Sequence, residues 1–177
     1  MKYMIISDIH GSELYTEQAL KAFEEKSCDQ LIILGDILYH GPRNPLPEGH
    51  NPQGVVALLN PYASKIIAAR GNCEAEVDQM LLDFPCLSDY ALIVDEGVRI
   101  FATHGHIYSE DNLPKLQNRD VFLYGHTHLW VTKEKDGILI CNPGSISLPK
   151  ENRPATYAIY ENRHITIYTL EGKVISE

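Results

Sequence analysis

Short apolar runs that end abruptly in polar residues constrain the fold of this chain more than any other feature of its sequence. KYMIIS at 2–7, LIIL at 31–34 and KIIAAR at 65–70 are each long enough for one buried strand. Ser12 is a typical N-cap ahead of the helical pattern ELYTEQALKAFEEK, and Pro52 is at a typical first position of a second helix. The N-terminal half is therefore predicted to alternate strands and helices.

The second half of the chain predicts strands in close succession. YALIVDEGVRIFAT reads as two strands around Glu96-Gly97, and WVTKEKDGILICNPGS reads as a pair that turns at Asp136-Gly137. VFLYGH and ATYAIYENRHITIYTLEGKVI add further strands. With 177 residues, the chain is expected to form a single domain over 1–177, with sheet in the middle and helices outside.

Charge, hydropathy and cysteine spacing exclude several classes of protein. The formal charge of −9 opposes attraction to a polyanion, so no nucleic acid partner is expected. No run of about 18 apolar residues predicts a membrane span, and Asp8 interrupts the first apolar run too early for a signal peptide. The cysteines form no C-x-x-C pair, which disfavours disulfides and a thiolate zinc site and favours a reducing, cytoplasmic location. They are Cys28, Cys73, Cys86 and Cys141.

Polar residues with metal-binding side chains follow five of the apolar runs. In a sheet enzyme, the loops beyond strand ends gather ligands and catalytic groups, because the strands hold these residues rigidly. Any one of these residues is commonly an ordinary turn residue, but their repetition at five strand ends indicates a shared site. The five stretches are Asp8-x-His10, Gly35-Asp36, Gly71-Asn72, His104-Gly105-His106 and Gly125-His126-Thr127-His128.

The side chains in these stretches suit a pair of metal ions. Carboxylates, imidazoles and an amide oxygen, without thiolate, bind manganese, iron, zinc or nickel, and a carboxylate such as Asp36 can bridge two ions. Two cations about 3.5–4 Å apart clamp a phosphate and stabilise its attacking and leaving oxygens together. Asp8 and Asp36 would repel each other if buried together, and metal charge removes that repulsion. Spacing alone leaves open whether His104 or His106 is a ligand.

The same stretches resemble the motifs of the calcineurin-like metallophosphoesterase superfamily. SDIHG, LGDIL, GNCE, THGH and GHTH are similar to the family motifs D-x-H, G-D, G-N-H, H-G-H and G-H-x-H, in the same order and over most of the chain. HGPRNPLPEGH, RGNCEAEVDQML and NPGSISLPK are similar to small bacterial phosphodiesterases of that superfamily. The resemblance implies an α/β (α+β) fold, a four-layer αββα sandwich in which helices flank two mixed β-sheets.

The resemblance also implies two divalent ions per chain, with manganese as the expected metal and iron, zinc or nickel as alternatives. It selects His104 as a ligand. His106 then either supports the site or faces the substrate, or it is simply a solvated histidine. The implied ligands are Asp8, His10, Asp36 and His128 for one ion, and Asp36, Asn72, His104 and His126 for the other.

Further residues near the predicted metal site are candidate catalytic residues. Many relatives have histidine after the G-N motif, where it contacts the transition state or protonates the leaving oxygen, whereas this chain has Cys73. An ordinary thiol, with a pKa of about 8.5, is a weak proton donor, so Cys73 is either a subfamily trait with a role or an inert packed residue. Arg43 is either a bidentate phosphate clamp or a solvated arginine, and His40 lies in the same loop. Ser145, in the turn NPGS, is a candidate hydrogen-bond partner of a ligand.

These residues predict a hydrolase, a dinuclear-metal phosphodiesterase that acts on a small phosphoester substrate. A hydroxide that bridges the metals would attack phosphorus in line with the leaving oxygen. A phosphomonoesterase is one alternative, and a non-catalytic protein-interaction scaffold, as in the related retromer subunit, is another, although all seven ligand positions are filled here. Nothing in the chain resembles the larger protein phosphatase domain, and the short acidic chain disfavours a nuclease. The sequence leaves open whether the chain forms a homo-oligomer through its strand-rich C-terminal half.

Overall fold

The computed structural model describes residues 1–176, which form eleven β-strands and three α-helices. The helices are α1 (Glu13–Glu25), α2 (Pro52–Leu59) and α3 (Glu76–Leu81), and a 3-10 helix spans Asn60–Lys65. The strands are β1 (Lys2–Ile6), β2 (Gln30–Ile33), β3 (Ile66–Ala68), β4 (Tyr90–Asp95), β5 (Val98–Thr103), β6 (Val121–Leu123), β7 (Val131–Lys135), β8 (Ile138–Asn142), β9 (Thr156–Glu161), β10 (His164–Thr169) and β11 (Val174–Ser176).

The first sheet joins the two ends of the chain. Its strand order is β11-β10-β9-β1-β2-β3. β1, β2 and β3 are parallel, with Ile5 opposite Ile32, because α1 and α2 provide the crossover connections that parallel neighbours require. β9, β10 and β11 are antiparallel to their neighbours, so the sheet is mixed.

The second sheet is also mixed and has five strands in the order β4-β5-β6-β8-β7. β5, β6 and β8 are parallel, and the two edge strands are antiparallel to their neighbours. The turns between β4 and β5 and between β7 and β8 contain Glu96-Gly97 and Asp136-Gly137, as the sequence predicts. Glu96 and Asp136 have φ of 49° and 53°, which matches the positive φ that short hairpin turns require.

Alternate residues of β1 enter two separate apolar clusters. Tyr3 and Ile5 face the second sheet and pack in a cluster that includes Ile100 of β5. Met4 and Ile6 belong to a cluster that includes residues of α1 and α2. The period-two alternation of a strand therefore places one face of the first sheet on helices and the other on the second sheet.

The outer face of the second sheet is covered by an irregular segment rather than by a helix. Phe101, Phe122 and Ile140 on this face form a cluster with Tyr108 and with leucines of the segment 104–120, and no helical residue among 1–176 belongs to that cluster. Glycine, proline and several Asn and Asp residues in this segment oppose a continuous helix. The predicted fold class, an α/β sandwich of two mixed sheets, is confirmed, whereas this outer layer differs from the predicted helices.

The helices α1 and α2 begin where the sequence predicts. Ser12 caps α1, because its Oγ accepts a hydrogen bond from Tyr15 N at 3.3 Å, and Pro52 is the first residue of α2. α1 is the longest of the described helices, with 13 residues. None of the helices within residues 1–176 has the length and apolarity to cross a membrane.

Candidate metal centre

The predicted ligands follow the C-terminal ends of five strands that meet at one edge of the sandwich. β1, β2 and β3 are parallel in the first sheet, as are β5 and β6 in the second. His10 N donates to Asp36 O at 2.8 Å and joins the loops after β1 and β2. His126 N donates to Asp8 Oδ2 at 3.0 Å and joins the two sheets. The parallel arrangement thus brings distant parts of the sequence into one site.

Asp8, His10 and His128 form the first group of donor atoms. Oδ1 of Asp8 lies 3.3 Å from Nε2 of His128 and 3.7 Å from Nε2 of His10. The two Nε2 atoms are 3.3 Å apart. All three side chains are buried, so three potential metal ligands converge on a point that is shielded from bulk water.

Asp36, Asn72, His104 and His126 form the second group. Nε2 of His104 lies 3.1 Å from Oδ1 of Asn72 and 3.1 Å from Nδ1 of His126. Oδ2 of Asp36 lies 3.4 Å from the same nitrogen and 3.7 Å from Nε2 of His10. Asp36 therefore lies between the two groups, where its carboxylate can contact ions in both.

Three of the histidines are oriented by backbone carbonyl groups. A neutral imidazole that donates from Nδ1 carries its lone pair on Nε2, the atom that points into the donor cluster in each case. The pairs are His10 Nδ1 with Tyr39 O at 2.9 Å, His104 Nδ1 with Leu34 O at 2.7 Å, and His128 Nδ1 with Leu148 O at 2.6 Å.

The electrostatics of the cluster favour a bound cation. Oδ1 of Asp8 is fully buried and has no hydrogen-bond partner within residues 1–176, and an unpaired buried carboxylate oxygen is costly without a positive charge beside it. Burial alone would lower the pKa of His104, but the contact with Asp36 and the charge of Asp8 raise it to about 9. The potential that holds a proton on this imidazole attracts metal cations as well. The donor set therefore fits divalent metal.

The backbone at the predicted ligands is held in an unusual conformation. Five of the seven predicted ligands have positive φ, and Gly71 lies so close to Asp36 that a Cβ on it would overlap Oδ1 of that carboxylate. Strained backbone of this kind is concentrated at functional sites, where the surrounding structure maintains it. The five are Asp8 (56°), His10 (50°), Asp36 (54°), His126 (66°) and His128 (63°).

Glu74 connects the loops after β2 and β3 and was not predicted from the sequence. Its carboxylate accepts hydrogen bonds from Asp36 N at 2.9 Å, from Ile37 N at 2.7 Å and from Gly71 N. Burial and the nearby Asp36 charge raise the pKa of Glu74 to about 6. The sequence shows only an acidic residue after the G-N motif, and nothing in it separates a buried acceptor from a surface glutamate.

The loop after β8 holds the backbone of Asp8 from the other side. Ser145 Oγ donates to Asp8 O at 2.8 Å, and Ser147 Oγ donates to the same oxygen at 3.0 Å. Ser145 Oγ also accepts hydrogen bonds from Ser147 N at 3.2 Å and from Leu148 N at 2.8 Å. The predicted contact between Ser145 and a ligand is present, and it is made to the backbone carbonyl.

A cavity of about 440 Å³ adjoins the donor cluster and has the size of a small-molecule site. Arg43 lines it, although its role as a phosphate clamp stays a prediction, and Lys150 adds a second cation that sequence patterns did not single out. Besides these two residues, the lining comprises Asp36, Asn44, Asn72, His126, Thr127 and His128.

The remaining candidates lie at different distances from this cavity. Ring centroids of His106 and His104 are 5.4 Å apart, and burial together with the charge of His104 lowers the pKa of His106. The His40 ring packs instead against Tyr39 and His50, with centroids 4.8 and 5.5 Å away. Neither His106 nor His40 lines the cavity within the described residues, and their roles stay predictions.

Cys73 lies at the border of the donor cluster. Its sulfur, a nitrogen of His10 and a carboxylate oxygen of Asp36 all lie within 4.8 Å of one another. Its backbone N–H donates to Asp36 Oδ1 at 3.0 Å. Burial and the charge of Asp36 raise the pKa of the Cys73 thiol, which keeps the side chain neutral and a weak acid at neutral pH.

Comparison with known proteins relates this geometry to a family. The calcineurin-like phosphoesterase superfamily domain matches residues 1–164. Phosphodiesterase YfcE of Escherichia coli is 47% identical over 175 residues, which cover 99% of this chain and 95% of that protein. A solved structure of YfcE, described as a phosphoesterase, superposes with a TM-score of 0.97 at 47% identity and covers 99% of this chain and 97% of the other.

A more distant relative extends the match to another bacterium. The protein named "Probable metallophosphoesterase YsnB", from Bacillus subtilis, is 30% identical over 188 residues, which cover 100% of this chain and 96% of the relative. The family match spans most of the chain, and the similarity to YfcE spans nearly all of it. This chain therefore belongs to the calcineurin-like phosphoesterase superfamily.

Proposed function

We propose that this chain is a metal-dependent phosphodiesterase that hydrolyses small phosphodiesters. The observation that carries this proposal is the convergence of seven side chains with oxygen or nitrogen donor atoms, among which Asp36 lies between two groups, beside a cavity lined in part by Arg43 and Lys150. The similarity to a protein named phosphodiesterase over nearly the full length of the chain supports it further. The family and the donor cluster both indicate divalent metal.

The proposed arrangement contains two ions that share Asp36, and manganese is the proposed metal. Two such ions lower the pKa of water and neutralise charge on the phosphoryl oxygens. The proposed ligands of the first ion are Asp8, His10, Asp36 and His128, and those of the second are Asp36, Asn72, His104 and His126.

The side chains around the ions bind and orient the substrate. Arg43 and Lys150 contact the phosphate oxygens that face the cavity, because guanidinium and ammonium groups donate strong hydrogen bonds to phosphate. His106 supports the site through the packing of its ring against His104 and His126, and His40 maintains the loop that carries Arg43. Cys73 is a weak donor to the leaving oxygen, so the enzyme favours esters whose leaving groups need little protonation.

The substitution Asp36→Asn tests this function. Asp36 is 3% exposed, and an amide keeps the acceptor for Cys73 N while it replaces the oxygen between His10 and His104 with an NH₂ group. We expect the fold to be retained, manganese binding to weaken and hydrolysis of bis-p-nitrophenyl phosphate to fall by at least about 10²-fold. The exposed Asp111→Asn is the matched control and should retain both properties.

Several results would contradict the proposal. Wild-type turnover by Asp36→Asn in the presence of manganese would remove the shared-carboxylate mechanism. Wild-type protein that binds manganese but hydrolyses no diester would exclude the phosphodiesterase, and p-nitrophenyl phosphate assayed in parallel would then reveal a phosphomonoesterase. Circular dichroism of both variants excludes unfolding as the cause.

We also propose that the protein functions in a reducing cytoplasm. Support comes from the four cysteines, all of which are free thiols in the structure. Cys28, Cys86 and Cys141 are buried and separate, so they contribute apolar packing rather than cross-links.

A further inference from the structure

A second concave surface, which we call the apolar groove, adjoins Cys73. Its volume is about 330 Å³, which is within the range of small-ligand sites. The groove runs between the loop after β2 and the helix α3, and its lining includes Leu38, Tyr39, Pro52, Cys73, Val77 and Leu81.

The residues at the rim of the groove are apolar and exposed. Val77 is 57% exposed, and Leu81 and Tyr39 are each 46% exposed. The carboxylate of Asp78, the charged group in the lining, accepts a hydrogen bond from Ala75 N at 2.6 Å and is buried. Contiguous exposed apolar side chains of this kind commonly mark a binding site.

The groove adjoins the candidate metal centre at Cys73, whose sulfur lies within 4.8 Å of a carboxylate oxygen of Asp36. Asn72 lines the polar cavity, and its neighbour Cys73 lines the groove, so the two concave surfaces meet at one peptide unit. Tyr39, on the opposite wall, accepts a hydrogen bond from His10 Nδ1 through its carbonyl oxygen. A phosphate bound beside Asp36 would therefore lie next to the cavity lined by Arg43 and Lys150, with the apolar groove beyond Cys73.

We propose that the apolar groove binds an apolar ester substituent of the phosphodiester, which makes Val77 and Leu81 specificity-determining residues. This inference rests on the proposed function and names a substrate class for it: diesters in which at least one alcohol is aromatic or aliphatic and uncharged. A phosphodiester has two ester arms, and the site offers two dissimilar surfaces for them. Polar contacts in the cavity hold the anion, and burial of the apolar arm adds affinity in proportion to its area.

Direct binding measurements test this selectivity without relying on turnover. Isothermal titration of manganese-loaded protein with diphenyl phosphate and with dimethyl phosphate compares two anions of equal charge that differ in apolar area. We expect the wild type to bind diphenyl phosphate at least about tenfold more tightly. The double substitution Val77→Ser and Leu81→Ser should reduce that preference by about tenfold.

Met80→Ser is the matched control, because Met80 is on the same helix, is 83% exposed and does not line the groove. It should leave the preference unchanged. An unchanged preference in the double variant, an equal loss in Met80→Ser, or no preference in the wild type would each overturn the proposal. Circular dichroism establishes that the variants are folded.

Two further measurements separate the proposal from two alternatives. In one, the groove is an interface between copies of the chain; in the other, it binds a ligand in a protein that hydrolyses no diester. A preference for diphenyl phosphate in a protein that hydrolyses no diester would refute the proposed phosphodiesterase function. The groove would then still bind an apolar substituent. Sedimentation velocity tests whether the groove is covered by a second copy of the chain. A change in oligomeric mass on substitution of Val77 and Leu81 would overturn the proposal in favour of an interface between copies.

Discussion

Ser145→Ala should destabilise the protein far more than Ser147→Ala, although both hydroxyl groups donate to Asp8 O. Ser145 is fully buried, and its Oγ accepts from Ser147 N and Leu148 N in addition to the bond that it donates. Ser147 Oγ makes only its bond to Asp8 O among the described residues. Alanine at 145 therefore leaves two N–H groups without a partner, whereas alanine at 147 leaves none.

The magnitudes follow from this difference. Each unsatisfied N–H group costs about 1–3 kcal/mol, so Ser145→Ala should lower the free energy of unfolding by about 3 kcal/mol. For a protein of this size, the melting temperature should fall by about 6–12 °C. Ser147→Ala loses one hydrogen bond whose acceptor keeps Ser145 as a partner, so its cost should be about 1 kcal/mol and its shift about 2–4 °C.

Thermal unfolding of the metal-free proteins, followed by circular dichroism, measures both shifts. Manganese titration then measures the effect on the site. Ser145 Oγ holds the backbone carbonyl of Asp8, a predicted ligand, and Leu148 O orients His128, another predicted ligand. We expect Ser145→Ala to weaken the affinity for manganese by about 10–100-fold. Equal melting temperatures for the two variants would refute the assignment of the two N–H groups to Ser145 Oγ.

Two further predictions concern protonation. Cys73→His should accelerate cleavage of diesters with alkoxide leaving groups more than cleavage of diesters with phenolic ones, because imidazolium is a stronger proton donor than a thiol. Paired alkyl and aryl diesters measure this difference, and equal effects on both would contradict the prediction. Burial alone would raise the pKa of Asp120, but its hydrogen bonds from Arg99 and from Gln117 N hold that pKa below its usual value. Its stabilising contribution is therefore complete above about pH 4 and is lost as pH falls through the lowered pKa, so Asp120→Asn should destabilise the protein at pH 7 and progressively less in thermal melts at lower pH.

The strand ends made much of the site predictable from sequence. Each β-branched or leucine-rich run ends where the backbone leaves the sheet, so the residue that follows is placed at a common edge once the strands are parallel. Asp8, Asp36 and His104 could be predicted to meet in this way, and the structure brings their donor atoms within 4.8 Å of one another. The choice of His104 over His106 required the family resemblance, because both follow β5 at similar spacing.

Contacts made by irregular segments could not be predicted. Glu74 and Lys150 approach the site through loops whose path depends on tertiary packing, and no periodicity records that path. The segment over the outer face of the second sheet has the same character, since Pro114 and several Asn and Asp residues lie among its apolar residues Tyr108, Leu113 and Leu116 and oppose a regular helix. The apolar groove could not be predicted from the sequence either, because Val77 and Leu81 have the spacing of an ordinary apolar helix face.

The left-handed backbone at the predicted ligands restricts how this fold can diverge. Aspartate and histidine are among the few residue types that accept positive φ readily. The same few residue types therefore suit both the predicted coordination chemistry and the backbone conformation at these positions. Asparagine and glycine also accept positive φ, but the uncharged asparagine amide is a weaker ligand than a carboxylate or an imidazole, and glycine has no side chain that binds metal. A lineage that no longer needs metal can therefore replace its ligands with these residues and keep the sandwich intact, so loss of catalysis in this architecture need not bring loss of shape.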